Sequence, residues 1–254
     1  MNQSALNAYL RHQPFPLALL RCLESGFYPK KLKSPSLDIG CGDGFFTKYT
    51  FGERGIDIGV EVNIKTAGAA EASQSYSQVI IFNGIMLPFL PRTFSTVVSN
   101  SVMEHVNDPT GLIKEIGRVT KPNGLFYLTV PTTDFSKCLL GIKIFGKAYG
   151  NFMDIVTRQK YYWTESKWSR VLKMSGFEII NRSTYFGPKA MAWFDLTHWL
   201  SIPSILTKII FHRWVLLNSS KLKIKFGEKL IRRILTNDRP PHAFQFFVCR
   251  KISA

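Results

Sequence analysis

Residues 37 to 44, Leu37-Asp38-Ile39-Gly40-Cys41-Gly42-Asp43-Gly44, set an acid ahead of three glycines spaced two apart. Alternating glycines let backbone N–H groups close on a bulky ligand with no Cβ in the way. A strand leading into such a turn and then a helix makes a nucleotide-type pocket at the carboxyl edge of a sheet. The spacing departs from the dinucleotide fingerprint G-x-G-x-x-G, because the third glycine comes one residue early. An acid beside the loop suits a cationic ammonium better than a pyrophosphate. Ile58-Gly59-Val60-Glu61 then ends in a second acid, about twenty residues on, at a strand tip where ribose hydroxyls would donate to it. His105 is the candidate general base or acceptor-positioning group, since a neutral imidazole can deprotonate a hydroxyl. The alternative reading is that His105 orders its own loop by bonding to backbone, and Glu104 has the same structural alternative.

These groups need a sheet to hold them. Val79 to Asn83 reads as a third strand, and Phe94 to Asn100 as a fourth with a β-branched centre. Asp108-Pro109 begins a helix by N-cap and N1 logic, with Leu112, Ile113, Ile116 and Val119 on its buried face. Lys121 to Gly124 is a turn and Leu125 to Val130 a fifth strand. A helix from Thr164 to about Met174 closes at Gly176. Phe177 to Ile180 gives a sixth strand and Ala243 to Lys251 a seventh.

D-x-G-x-G-x-G at residues 38 to 44 resembles motif I of class I S-adenosylmethionine (SAM) dependent methyltransferases, in the small-molecule, methyltransferase type 11-like subgroup. Leu87-Pro88-Phe89 resembles that family's D-A-x-x-L-P-F segment. Asn100 to Pro109 resembles its S-x-x-L-E-H-x-x-D-P stretch over the whole length, and Lys121-Pro122-Asn123-Gly124 its K-P-G-G turn. The resemblance implies an α/β, Rossmann-like, seven-stranded, mostly parallel sheet with helices on both faces. It implies SAM as cofactor, S-adenosylhomocysteine as product, and no metal. The cofactor set it implies is Asp38, Gly40, Cys41, Gly42, Gly44, Glu61, Val62, Asn83, Gly84, Ile85 and Asn100. Asn83 stands where the family has an aspartate for the adenine amino group, and its amide oxygen can accept the same bond. Ser95 stands where the family often has Asp. Acceptor contacts are expected between residues 132 and 168, from Asp134, Tyr161, Tyr162 and Trp163, with a core role the open alternative for the three aromatics. An Asn-Pro-Pro-Tyr-type motif is missing after strand four, which argues against an exocyclic-amine nucleic-acid methyltransferase.

The expected organisation is an N-terminal capping helix and link (1–35), a SAM-binding core (36–186), a hydrophobic and basic helical insertion (187–242) and a final core strand (243–254). The chain has 254 residues and a formal net charge of +16, which favours anionic partners. Four dispersed cysteines form no C-x-x-C pair, which speaks against a zinc site or a disulfide framework. Met1 to Ala8 is polar and shows no signal pattern, so the expected location is cytoplasmic, with a peripheral place on the cytoplasmic membrane face.

Within the insertion, Met191 to Leu217 is dominated by large apolar side chains, and Pro203 breaks or kinks any helix there. Lys221 to Leu235 is basic and amphipathic. Trp and Leu beside a Lys/Arg-rich face is the composition of an element lying on an anionic membrane, so residues 191 to 235 are the candidate membrane surface. The competing readings are a lid, a dimer interface, or a solvated helix face. The partner favoured is a small-molecule or lipid-linked acceptor, with O-methylation ahead of other outcomes. RNA methylation through the basic insertion is the less favoured alternative, because the aromatics cluster with aliphatics rather than alternating with charge. A SAM-binding interaction protein without turnover is the third. The sequence leaves the oligomeric state undetermined.

Overall fold

The computed structural model describes residues 3–201, 221–236 and 238–252. In chain order the elements are α1 (Gln3–His12), α2 (Phe15–Glu24), β1 (Ser36–Ile39), α3 (Phe45–Phe51), β2 (Ile56–Glu61), α4 (Ile64–Ala72), β3 (Tyr76–Ile81), β4 (Phe94–Asn100) and α5 (Pro109–Val119). There follow β5 (Thr120–Pro131), α6 (Phe135–Cys138), α7 (Leu140–Phe145), α8 (Lys147–Thr157), α9 (Glu165–Met174), β6 (Phe177–Tyr185), α10 (Pro188–Leu200), α11 (Lys221–Leu235) and β7 (Phe244–Lys251). They fall into two compact units. One comprises Pro29–Thr133, Asp154–Thr184 and Phe244–Ala254, and the other Met1–Tyr28, Asp134–Met153 and Tyr185–Ala243.

The first unit carries the sheet. Its strand order is β3-β2-β1-β4-β5-β7-β6. β1 pairs in parallel with β2 on one side and β4 on the other, so Leu37 lies beside both Ile58 and Val97. β2–β3 and β4–β5 are also parallel, while β7 runs antiparallel to β5. This is the α/β, mostly parallel sheet expected. Strand order reverses between β1 and β4, which opens a crevice beyond their carboxyl ends. Every position of β1 is buried, as a strand covered on both faces requires.

One core joins the sheet to α5 and α9. Leu37, Ile39, Val97, Phe126 and Phe247 pack with Leu112, Ile113 and Ile116 of α5 and Trp168 and Leu172 of α9. Each such side chain contributes roughly 1.5–3 kcal/mol on burial. α5 begins where the sequence requires: the Asp108 carboxylate accepts from Gly111 N and Pro109 occupies the first turn. Thr164 caps α9, and Gly176, at φ +79°, follows its end.

Several expectations need adjusting. The N-terminal segment is two helices, not one, because Pro14 is extended (φ −57°, ψ 147°) and starts the second helix instead of continuing the first. The third strand is Tyr76–Ile81, so Asn83 lies beyond its end. Lys121 to Gly124 interrupts the β4–β5 register inside β5, with Asn123 at φ +61°. In the second unit, α10 packs with α2 and α7, and α11 with α1 and α10. Residues 202 to 217 of the apolar run, Pro203 among them, lie outside the described residues. Among the described residues no helix is long and apolar enough to cross a membrane.

Candidate active site

The glycine loop leaves β1 at the crevice and turns at once, with Gly40 N and Cys41 N both donating to Val60 O (2.9 and 3.0 Å). Gly42 sits at φ +57°, and a Cβ built there meets nothing within 4 Å. Its outer side is open space of the kind a ligand needs. Gly44 is closed instead: at φ +75°, its Cβ would lie 2.3 Å from Ser73 Oγ and 3.2 Å from Ala70 Cα. The first position demands glycine for its backbone and its open side, the second for packing against α4.

Two acids hold the loop. Glu61 Oε2 accepts from Gly42 N at 3.0 Å, and Oε1 accepts from Val62 N and Asn63 N at 2.9 and 3.1 Å. A carboxylate oxygen has two lone pairs, so Oε2 can accept a second donor. Asp38 lies beneath the loop, buried, with Oδ2 accepting from Tyr76 OH (2.7 Å) and Thr47 Oγ1 (2.9 Å). Burial pushes its pKa up from 3.8 to about 6, against the pull of the two hydroxyls and with a smaller push from Glu61. The Cys41 thiol is also pushed up, by burial and by both carboxylates, and so is unsuited to act as a thiolate nucleophile.

A cleft of about 290 Å³ opens beside these groups. Gly40 and Glu61 form one side, Val62, Phe82 and Gly84 the next, and Ser101, Val102, His105, Val106 and Leu112 the rest. Val62 (57% exposed) and Ile85 (63%) stand out at the ends of β2 and β3 as uncovered aliphatic groups. Asn83 does something other than expected. Its side-chain oxygen accepts from Ile85 N (2.9 Å) and Met86 N (3.0 Å), so it shapes this loop and is already taken as an acceptor.

The loop after β4 is tied down from below. Ser101, at φ +54°, donates its N–H to Thr129 Oγ1 at 2.8 Å, and the Asn100 side-chain oxygen accepts from that same hydroxyl. Lys160 N donates to Glu104 O, and Tyr161 OH to Asn107 O. His105 Nδ1 lies 2.9 Å from the Arg158 carbonyl. A carbonyl can only accept, so Nδ1 carries a proton and donates this bond, while Nε2 lies 3.9 Å from a carboxylate oxygen of the buried Glu104. The Nδ1 bond to backbone is the kind the loop-ordering reading of His105 expects, and the residue also lines the cleft. Glu104 is buried, consistent with its structural alternative.

Of the residues read from sequence, the cleft wall contains Gly40, Glu61, Val62, Gly84 and His105. Asp38, Cys41, Gly42, Gly44, Asn83, Ile85 and Asn100 support or flank it. The acceptor set does not assemble there. Trp163 is buried in the core, 4.6 Å from the Trp168 ring, because the residue before the Thr164 cap faces inward. Tyr161 packs on that core, and Tyr162 donates to Asp154 Oδ1. Asp134 belongs to the other unit and pairs with Lys137 at 2.6 Å. Sequence reading missed Phe82, Val102, Val106 and the hydroxyls of Thr47 and Tyr76. Val102 and Val106 lay within a motif whose polar residues drew the attention.

A family model described as a methyltransferase domain matches residues 37–128. An uncharacterised methyltransferase of Mycobacterium sp. (strain JLS) is 38% identical over 94 residues, 37% of each chain. A ubiquinone biosynthesis O-methyltransferase of Idiomarina loihiensis is 27% identical over 135 residues, 51% of this chain and 54% of that one. The matched segment thus spans between about a third and a half of these relatives. Among solved structures, phosphoethanolamine N-methyltransferase 2 of Haemonchus contortus, in complex with phosphomonomethylethanolamine and S-adenosylhomocysteine, superposes with a TM-score of 0.58 at 19% identity. The match covers 94% of this chain and 52% of that one.

Proposed function

The chain carries a class I SAM-dependent methyltransferase domain with SAM as its cofactor, and from that premise we propose that it methylates a hydroxyl of a small amphiphilic or lipid-linked acceptor at a membrane surface. The observation that carries methyl transfer is the His105 ring lining the same cleft as the glycine loop and Glu61.

The residues fit the cofactor. The open side of Gly42 gives room for its amino-acid end, and the buried Asp38 gives that end's ammonium an opposite charge. Glu61 Oε2 has capacity left for a ribose hydroxyl. Val62 and Ile85 offer uncovered aliphatic surface to a flat ring. SAM supplies an electrophilic methyl on a sulfonium, so the protein has to align the acceptor, exclude water and remove a proton. Val102, Val106 and Leu112 give the cleft a largely apolar wall that disfavours water. Nε2 of His105 takes the hydroxyl proton.

The ubiquinone O-methyltransferase among the relatives supports an amphiphilic hydroxyl acceptor. The surface location is supported by α11, which holds six Lys/Arg and one acid and buries Ile224, Ile231 and Ile234. The test is transfer of labelled methyl from SAM into a total lipid extract presented on vesicles. Label in the organic phase, lost in His105→Ala, is expected. Label appearing in RNA instead, with none in lipid, contradicts the reading.

A further inference from the structure

Unit-two helices α7, α8 and α10 share a carboxylate that points away from solvent. Asp195 is 2% exposed and accepts from Gly141 N at 2.8 Å and from Tyr149 OH. Trp199 Nε1 then donates to Tyr149 OH at 2.9 Å. A Cβ at Gly141 would sit 2.3 Å from the Tyr149 ring, so the three helices meet without slack. Outward from this anchor the same helices expose what a folded surface normally hides. Ile144 (65%), Phe145 (67%) and Leu200 (72%) are mostly uncovered, and Phe152, Leu196 and Trp199 are nearly half uncovered. The rings are continuous: Phe145 and Phe152 each lie against Tyr149, and Phe152 stacks on Trp199 at 5.7 Å and 13°. A patch this apolar on a soluble surface marks an interaction site.

Its rim identifies the partner. Lys143 and Lys147 bracket Ile144 and Phe145, and residues 143 to 148 are all exposed. Among the described residues of α7, the first seven of α8 (Lys147–Met153), and α10, the one acid is the buried Asp195. Exposed Phe, Trp and Leu flanked by Lys without acids match the interior and headgroups of an anionic bilayer in both polarity and sign. We propose that Ile144, Phe145, Phe152, Leu196, Trp199 and Leu200 form a patch that inserts into an anionic membrane surface, with Lys143 and Lys147 on the headgroups. The proposal rests on the membrane-surface reading; it keeps Leu196, Trp199 and Leu200 of the 191–235 segment expected there and adds Ile144, Phe145 and Phe152 from the segment expected to bind the acceptor.

The test is co-sedimentation of the full chain with vesicles of phosphatidylglycerol and phosphatidylcholine, and with phosphatidylcholine alone. The wild type should bind the anionic vesicles selectively, and the Ile144→Ser/Phe145→Ser double variant should bind them roughly tenfold or more weakly. Both side chains are exposed, so the variant should fold; unchanged SAM affinity by calorimetry checks this. Lys143→Glu/Lys147→Glu should reduce binding to anionic vesicles and make what binding remains less sensitive to salt. Equal binding by the double serine variant overturns the patch while leaving the surface reading intact. Absence of binding by the wild type overturns both. Self-association that the double serine variant abolishes, without vesicle binding, also overturns the proposal and makes the patch a subunit interface.

Discussion

Asp38 is the residue whose environment says most about its use. A buried carboxylate beside two hydroxyls and the like-charged Glu61 is poorly stabilised until a cation arrives. Its folded-state pKa of about 6 lies above the unfolded value near 3.8. The stability it contributes is therefore complete below about pH 3.8 and is lost as pH rises through about 6. Asp38→Asn should raise the unfolding free energy of the ligand-free protein at pH 7.5 by roughly 2–3 kcal/mol and flatten that slope, as denaturant titrations at several pH values would report. The same variant should bind SAM far more weakly. In the wild type SAM affinity should climb with pH up to and through about 6, because the cofactor's ammonium favours the ionised carboxylate; pH-independent affinity would separate Asp38 from the cofactor. His105 makes a different prediction. His105→Ala should reduce turnover by about 10²- to 10⁴-fold with little change in SAM affinity. Equal losses in both would make it a loop-ordering residue alone.

The elements explain which parts could be read in advance. Motifs that act within a few residues were legible: the glycine turn, the Asp108-Pro109 cap, the Thr164 cap and the Gly176 stop each appear where their local chemistry puts them. Asp108→Ala should cost about 1 kcal/mol, read as a lowered midpoint in denaturant, because it removes the bond to Gly111 N from the helix that faces the core. What the sequence hid depends on register. Tyr76 reaches Asp38 because β3 pairs with β2 and sets Tyr76 beside Ile56, a contact across 38 positions that no local pattern encodes. Trp163 looked like an acceptor contact because aromatics cluster there, yet the segment before α9 turns it into the core. Asn83 was placed in the third strand by its apolar run, but the strand ends at Ile81 and the amide closes the next turn.

At the scale of the whole molecule, the proposed cofactor site lies within the unit that contains the sheet, at the strand-order reversal. The helical unit carries an unusual surface, apolar and lysine-rimmed, on an anchor of buried Asp195 and Tyr149. Its hydrophobic content was visible in sequence, but not the split between side chains turned inward and those left outside, since that is set by how α7, α8 and α10 meet. The central claim is that the glycine loop and its cleft are a SAM site. Calorimetric titration of SAM into the full chain and into Gly42→Val tests it most directly. The wild type should bind one equivalent, and the variant should show no binding, because valine fills the open side of a residue at φ +57°. Equal affinity in the two proteins, with the variant folded, would contradict the account.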